Sequence, residues 1–377
     1  MSGTAPRSSH RAWVEVDHDA LRHNLGVLRD MAGAGKQVIA VVKANAYGHG
    51  AVEVSRTLLA ANVERLAVAT LDEGLALRAA GITAPLLILW ALGEPEAGQA
   101  VAADLEAMIQ DARGVDLLEQ AAAEAGRRAS VHLKVDTGLG RQGAAPSETL
   151  ALAGRIARSR HLALAGTFSH LAVPGEDDAY TDVQLLRLAQ TLDAMRSAGI
   201  DPGLVHVSAT ASILAGAATF ADAVRPGLGL YGLQPAWVID RAPLQPALSL
   251  RARAVRIFDL AAGEGIGYGL RFRAQRATRI ATLGIGYGDG WPRQHANNGR
   301  ALVHGRVVPM VGAISMDGLT VDLGEVDDVT YADEFVLIGE QMGARITADE
   351  VAQERRTINY EVTTALRGRL PRLHRGA

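Results

Sequence analysis

The chain has 377 residues, 48% of them hydrophobic, and a formal net charge of −3. That length admits two domains or one large barrel with an addition and buries a core without staples, and the weak charge gives no steering toward nucleic acid or an acidic membrane surface. There are no cysteines, which excludes disulfides, thiolate metal sites and a cysteine nucleophile.

The first residues, MSGTAPRSSHRAWVEVD, are polar and lack the apolar stretch of a secretory signal. The most apolar short run, Pro85–Leu92, falls far below the roughly 18 to 20 residues of a membrane span. A cytoplasmic protein with no membrane partner is the expectation.

From Ala12 to about Gly232, short β-branched runs alternate with amphipathic stretches. The run Ala12–Val16 either pairs with a later domain or precedes the repeat. Strands are expected at Val38–Lys43, Arg65–Ala69, Pro85–Trp90, Leu105–Gln110, Val131–Asp136, Ala165–Ser169, Leu204–Ser208 and Ala223–Arg225. Helices are expected between them, as at Ala51–Ala61, Leu71–Ala80, Val115–Ala125, Ser147–Ser159 and Tyr180–Ala198. This alternation implies parallel βαβ units, and about eight in succession imply a (β/α)8 barrel, with a doubly wound open sheet as the runner-up.

After about Pro235 the texture changes to alternating runs at Ser249–Phe258, Arg279–Gly284, Ala301–Val307 and Thr320–Asp322. Turn signals at Ala262-Gly263, Gly286–Gly290 and Asn298-Gly299 separate them, and a short helix is expected near Thr347–Glu354. The expected organisation is a barrel over 12–240 followed by a β-rich domain over 241–377.

Active sites of such barrels lie at the C-terminal ends of the strands, so the residues that follow each strand carry the information. The first strand ends in VIAVVKANAYGHG, where Lys43 closes an apolar run on the same side as Ile39 and Val41. Burial there favours the neutral amine that forms Schiff bases, although a lone strand-end lysine can also extend its ammonium to solvent.

The fifth strand reads VHLKVDTGLGRQG, in which His132, Lys134 and Asp136 share the face opposite Val131, Leu133 and Val135. Lys134 and Asp136 are open to a simple ion pair. Gly138, Gly140 and Gly143 make a flexible loop carrying Arg141, whose guanidinium suits a carboxylate or a phenolate. Later strands end at His170, at Ser208 and Thr210, and at Arg225-Pro226-Gly227-Leu228-Gly229. Glycine-rich backbone near the last barrel strands commonly binds phosphate. His170 alone reads more readily as a structural residue than as a catalytic one.

Five motifs, AVVKANAYGHG, HLKVDTGLGR, VRPGLGLYG, GYGDG and the pair SMD with TINYE, occur in one order along nearly the whole chain. In them the chain closely resembles the bacterial alanine racemase family. The resemblance implies pyridoxal 5′-phosphate linked to Lys43 and a head-to-tail homodimer in which each active site borrows residues from its partner. It implies Tyr268 as the second catalytic base, Arg225 facing the pyridine nitrogen with His170 beside it, and Arg141 near the phenolic oxygen and the substrate carboxylate. It further implies a carbamylated Lys134, phosphate-side contacts from Tyr47, Thr210, Gly227, Leu228 and Tyr360, a substrate contact from the Met316 backbone, and an entrance lined by Tyr287 and Arg293. No metal is implied. The implied activity is interconversion of L- and D-alanine by two bases on opposite faces, supplying D-alanine for peptidoglycan.

Three positions depart from the family pattern. Ala209 stands where an asparagine is usual, Ala313 where the entrance carries an arginine, and Gly175 at about the place of that arginine's aspartate partner. These departures leave open a racemase of serine or of broader range. Amino-acid decarboxylases on the same plan usually employ a cysteine, which this chain lacks. A non-catalytic carrier of pyridoxal phosphate leaves Tyr268 and the β-rich region without a purpose.

Overall fold

The computed structural model describes residues 9–217, 220–238 and 241–377. The chain divides into two units, one spanning Ala20–Gln245 and the other joining the segment up to Asp19 with Pro246–Ala377. The expected boundary at 240 abuts residues 239–240, which lie outside those described.

In the first unit eight parallel strands close into a barrel: Gln37–Val41, Arg65–Val68, Leu86–Ile88, Glu106–Ile109, Ala129–Lys134, Leu162–Phe168, Leu204–Ala209 and Ala223–Arg225. The first strand pairs with the last, Gln37 against Ala223 and Val38 against Val224, which excludes the open sheet. Helices at Ala51–Ala60, Leu71–Ala79, Ala112–Glu124, Pro146–Arg158 and Asp178–Ser197 follow the expected alternation. Ile109, Val131 and Leu133 pack with Val115, Leu118 and Ile156 in one fully buried cluster. Each such side chain contributes roughly 1.5–3 kcal/mol on leaving water.

The first strand stops at Val41, two residues earlier than expected, and Lys43 opens a tight turn, Lys43–Tyr47. Ala44, Asn45, Ala46 and Tyr47 all take φ between 52° and 54°. Four left-handed residues without a glycine cost about 1–2 kcal/mol each, so neighbours must hold them. The Ala44 N–H donates to Glu73 Oε1 at 2.6 Å, and the Ala51 N–H donates to Asn45 Oδ1 at 2.9 Å. Period-two counting cannot foresee such a turn.

Asp136 lies just past the strand Ala129–Lys134 and takes no ion pair with Lys134. Its carboxylate accepts the N–H groups of Gly138 at 3.0 Å, Leu139 at 3.0 Å and Gly140 at 3.1 Å, which fixes the start of the glycine loop. Gly143 has φ 127°, and a Cβ there would lie 2.6 Å from the Asp136 nitrogen, so the loop returns against its own root.

The second unit is a nine-stranded sheet. Its order is Ala344–Ile346, Glu334–Gln341, Arg300–Val303, Arg306–Val311, Leu319–Asp322, Thr278–Leu283, Leu248–Leu260, Ala12–Asp17 and Arg372–Arg375. Ala12–Asp17 therefore belongs with this sheet and not with the barrel span of 12–240. It runs antiparallel to Leu248–Leu260, with Val14 opposite Leu250, and parallel to Arg372–Arg375. Glu15 is buried in it and bonds Arg251 at 3.0 Å and Arg375 at 2.5 Å. The expected single run Ala301–Val307 is a hairpin instead, turned at His304 and Gly305, which both have positive φ.

A small hairpin, Gly265–Ile266 against Phe272–Arg273, projects from this unit with a 3-10 turn, Tyr268–Leu270, at its tip. Gly267 and Gly269 stand at φ 73° and 71°, a region glycine enters without strain.

Candidate active site

At the C-terminal mouth of the barrel, burial pulls the Lys43 amine below its ordinary pKa, and the positive charges of Arg141 and Arg225 pull in the same direction. Glu73 opposes them. The result is an amine with a raised neutral fraction, the form that attacks a carbonyl. Sequence reasoning missed Glu73, although the Thr70-x-x-Glu73 capping box that positions it is readable in the chain.

Arg225 ends the last barrel strand and is 3% exposed. Its guanidinium donates to Ser169 O at 2.7 Å, to Val207 O at 3.1 Å and to His206 Nδ1 at 2.6 Å, with His170 Nδ1 at 3.4 Å. Burial pushes it down to about 9, which leaves it charged at neutral pH. Burial and the nearby cations, Arg225 first, push His170 down to about 3, so this imidazole is neutral beside the guanidinium.

Lys134 is 4% exposed, with Nζ 5.6 Å from the Phe168 ring centroid and 3.5 Å from Gln142 Oε1. Burial, followed by the charges of Arg141 and Arg225, pushes it down to about 8. Arg141 is exposed and lies over the Trp90 ring, 6.0 Å from its centroid. Trp90 follows the third barrel strand and was not anticipated as part of this mouth.

The last strand leads into a glycine cradle. Thr210 Oγ1 accepts the N–H of Gly227 at 3.2 Å and of Gly229 at 3.0 Å. A Cβ at Gly227 would lie 2.5 Å from the Tyr47 hydroxyl, and one at Gly229 would lie 2.9 Å from Thr210 Cγ2. The cradle thus admits backbone only. Leu228 is buried beneath it, and the Tyr47 ring lies 4.9 Å from Tyr231, whose hydroxyl donates to Val41 O at 2.9 Å. Ala209 precedes Thr210, and Gly175 takes φ 79° in the loop after the sixth strand.

The remaining predicted residues lie in the second unit. Tyr268 is 75% exposed at the hairpin tip. Tyr287 donates its N–H to Ser315 O at 3.1 Å, and Gly288 donates to Met316 O at 2.9 Å, so the GYGDG and SMD segments are held together. Buried Asp289 reinforces this by accepting from Arg11 at 2.6 Å and from the Gly286 N–H at 3.0 Å. Arg293 is exposed on the turn Arg293–His295, and burial pushes the Tyr360 phenol up to about 12. Ala313 is buried, 3.5 Å through its nitrogen from where a Cβ on Gly267 would stand.

The site is that of a barrel enzyme with a lysine amine of lowered pKa just past a strand end, a buried guanidinium and a backbone cradle. Residues 16–235 match the model of the alanine racemase N-terminal domain, and residues 247–374 match that of the C-terminal domain. The chain belongs to the alanine racemase family. It is 39% identical to alanine racemase 2 of Caldanaerobacter subterraneus subsp. tengcongensis, covering 96% of this chain and 94% of that one. Among solved structures it resembles the Bacillus anthracis alanine racemase with bound L-Ala-P at TM-score 0.92 and 34% identity, covering 98% and 96% of the two chains. It also resembles the Bartonella henselae alanine racemase with covalently bound pyridoxal phosphate at TM-score 0.85 and 26% identity, covering 97% and 100%.

Proposed function

We propose that this chain interconverts L- and D-alanine with pyridoxal 5′-phosphate held on Lys43, as a homodimer that shares residues across its active sites. The observation that carries the reading is the Lys43 amine, lowered below its ordinary pKa at the mouth of a closed barrel. The residues fit the cofactor: a nucleophilic amine, a buried cation in Arg225, and a glycine cradle that a Cβ would fill. When bound, pyridoxal phosphate supplies an electron sink that acidifies the α-C–H bond of the amino acid.

The chain's own residues do the rest. Lys43 would hold the cofactor through its amine and, when that amine is free, would move a proton on one face of the substrate. Tyr47, Thr210, Gly227 and Leu228 would hold the phosphate, with Tyr360. Arg225, a charged donor with no proton to accept, would stand toward the ring nitrogen and would leave the electron sink weak, which limits side reactions. His170 lies beside it. Arg141 and the Met316 backbone orient the substrate carboxylate, and a carbamate on Lys134 would orient Arg141.

Tyr268 serves the opposite face from the second copy, a reading supported by its 75% exposure on the hairpin tip. Tyr287 and Arg293 line the entrance. Among the described residues no helix is long and apolar enough to cross a membrane, in keeping with a cytoplasmic enzyme that supplies D-alanine for peptidoglycan.

Ala313 and Gly175 leave the entrance without its usual ion pair, which favours a second reading in which serine or larger amino acids are also turned over. A racemisation assay across a panel of L-amino acids with added pyridoxal phosphate decides between them. Turnover of alanine above all others supports the first reading, comparable turnover of several supports the second, and none defeats both.

A further inference from the structure

We propose that Arg65, Glu106, His132 and His206 form a positioning relay through the barrel interior that holds Arg225 in one hydrogen-bonding polarity. The inference rests on the reading that Arg225 faces the cofactor ring. From the mouth inward, Arg225 Nη1 lies 2.6 Å from His206 Nδ1, and His206 Nε2 lies 2.9 Å from His132 Nδ1. His132 Nε2 lies 3.3 Å from Glu106 Oε2, and the other Glu106 oxygen pairs with Arg65. Glu106 and Arg65 are the first residues of their strands, so the line runs from the catalytic end to the barrel floor.

Both imidazoles are fully buried. Phe168 stacks on His206 with centroids 4.7 Å apart and planes at 8°. Gly166 makes room for His132, because a Cβ there would lie 2.6 Å from its Nδ1. Among the described residues neither His132 Nε2 nor Glu106 Oε2 has a hydrogen-bond partner elsewhere, so each depends on the other. The 3.3 Å contact is the longest in the line.

The direction of the line follows from donor chemistry. A guanidinium only donates, so His206 Nδ1 must accept and His206 must carry its proton on Nε2. That proton is donated to His132 Nδ1, which places the His132 proton on Nε2, facing the Glu106 carboxylate. Adding a proton to either imidazole, or reversing either tautomer, sets two donors against each other at Arg225 or at the His–His contact. Burial holds both imidazoles below their ordinary pKa, with Arg225 assisting at His206, while Glu106 opposes the shift at His132. Against its burial, His132 and then Arg65 hold the Glu106 carboxyl below the usual carboxylate range.

The test is 15N NMR of the histidine-labelled full-length chain without pyridoxal phosphate, from pH 5.5 to 8.5. His132 and His206 are expected to read as neutral rings protonated on Nε2 across that range. His132→Gln offers an amide oxygen to His206 and an amide N–H to Glu106, so it preserves the polarity; His132→Leu breaks it. In His132→Leu the His206 tautomer is expected to become mixed and kcat to fall by roughly tenfold or more, with KM changed less. His132→Gln is expected to restore most of both. An imidazolium or an Nδ1–H ring at His206 in the unsubstituted chain overturns the relay, as does equal behaviour of the two variants. If neither variant folds, the spectrum of the unsubstituted chain decides alone. The expected tautomers in a chain that racemises nothing would leave the relay standing and defeat only the functional reading.

Discussion

Glu73 Oε1 accepts the backbone N–H of Ala44 at 2.6 Å, so the residue after Lys43 is held by the first turn of the helix Leu71–Ala79. Its second oxygen accepts from Ala69 at 2.8 Å and completes the capping box with Thr70. One carboxylate thus supports a left-handed turn, caps a helix and faces the Lys43 ammonium.

Glu73→Ala should therefore cost about 1–2 kcal/mol of stability from the lost cap alone. The Lys43 pKa should fall further, because Glu73 raises it. Urea unfolding reads the first effect, and the pH dependence of cofactor capture reads the second. A Lys43 pKa unchanged in the variant would contradict the electrostatic role.

Lys43→Ala should lose nearly all turnover, since the tether and one base leave together. In the unsubstituted chain, borohydride followed by digestion should place the trapped cofactor on Lys43. Label on any other lysine would remove the centre of the functional reading.

Lys134 gives a pH prediction whose sign is fixed by its shift. Its pKa is about 8 in the folded chain against 10.5 for the free side chain. Between those values the unfolded chain binds more protons, so stability rises with pH from about 8 to 10.5, and the destabilising penalty is full below 8. The gain is at most about 3 kcal/mol. Relative to Lys134→Met, the carbon-dioxide-free chain should become more stable over that window. A carbamate removes the effect, and intact mass in bicarbonate should show the added group; plain lysine in active enzyme would count against it.

Tyr268→Phe should suppress α-proton abstraction from L-alanine far more than deuterium exchange into D-alanine, which Lys43 still performs. Mixed Lys43→Ala and Tyr268→Phe chains should regain activity through heterodimers with one intact site. Equal loss for both enantiomers would contradict the facial assignment, and a fully active monomer by light scattering would contradict the shared site.

Gly166→Ala should destabilise the barrel by about 1–3 kcal/mol, because its methyl group would crowd both His132 and the Leu204 carbonyl. Gly98→Ala, in the helix Glu94–Ala102 with nothing within 4 Å of the added carbon, is the control and should stabilise by about 1 kcal/mol.

The barrel was legible in the sequence because each strand carries its own apolar run and amphipathic stretches separate the runs. Lys43, Arg225 and the Gly227 cradle were legible for the same reason: they sit where a strand ends. The left-handed turn after Lys43 was not, since it is held by Glu73 from another element. The Arg65–Glu106–His132–His206 line joins four strands, and no local pattern encodes which buried polar residues will meet across a barrel. The resemblance supplied roles for Tyr268 and Met316, but the small hairpin that carries Tyr268 was left undivided by the alternation. Ala12–Asp17 could not be placed because its partners lie more than two hundred residues away in the chain.

That last pairing bears on how the molecule is assembled during synthesis. The strand Ala12–Asp17 is made before the barrel, yet its neighbours are Leu248–Leu260 and Arg372–Arg375, which are made after it. Ala20–Gln245 is contiguous and can close its barrel while the rest is still being translated, in keeping with domains folding as units in order of emergence. Ala12–Asp17 meanwhile stays without its sheet neighbours while the barrel is made, gaining Leu248–Leu260 next and Arg372–Arg375 later. Ala12–Asp17, buried in the finished protein at all but its last residue, is therefore a strand whose burial waits on chain made after the barrel.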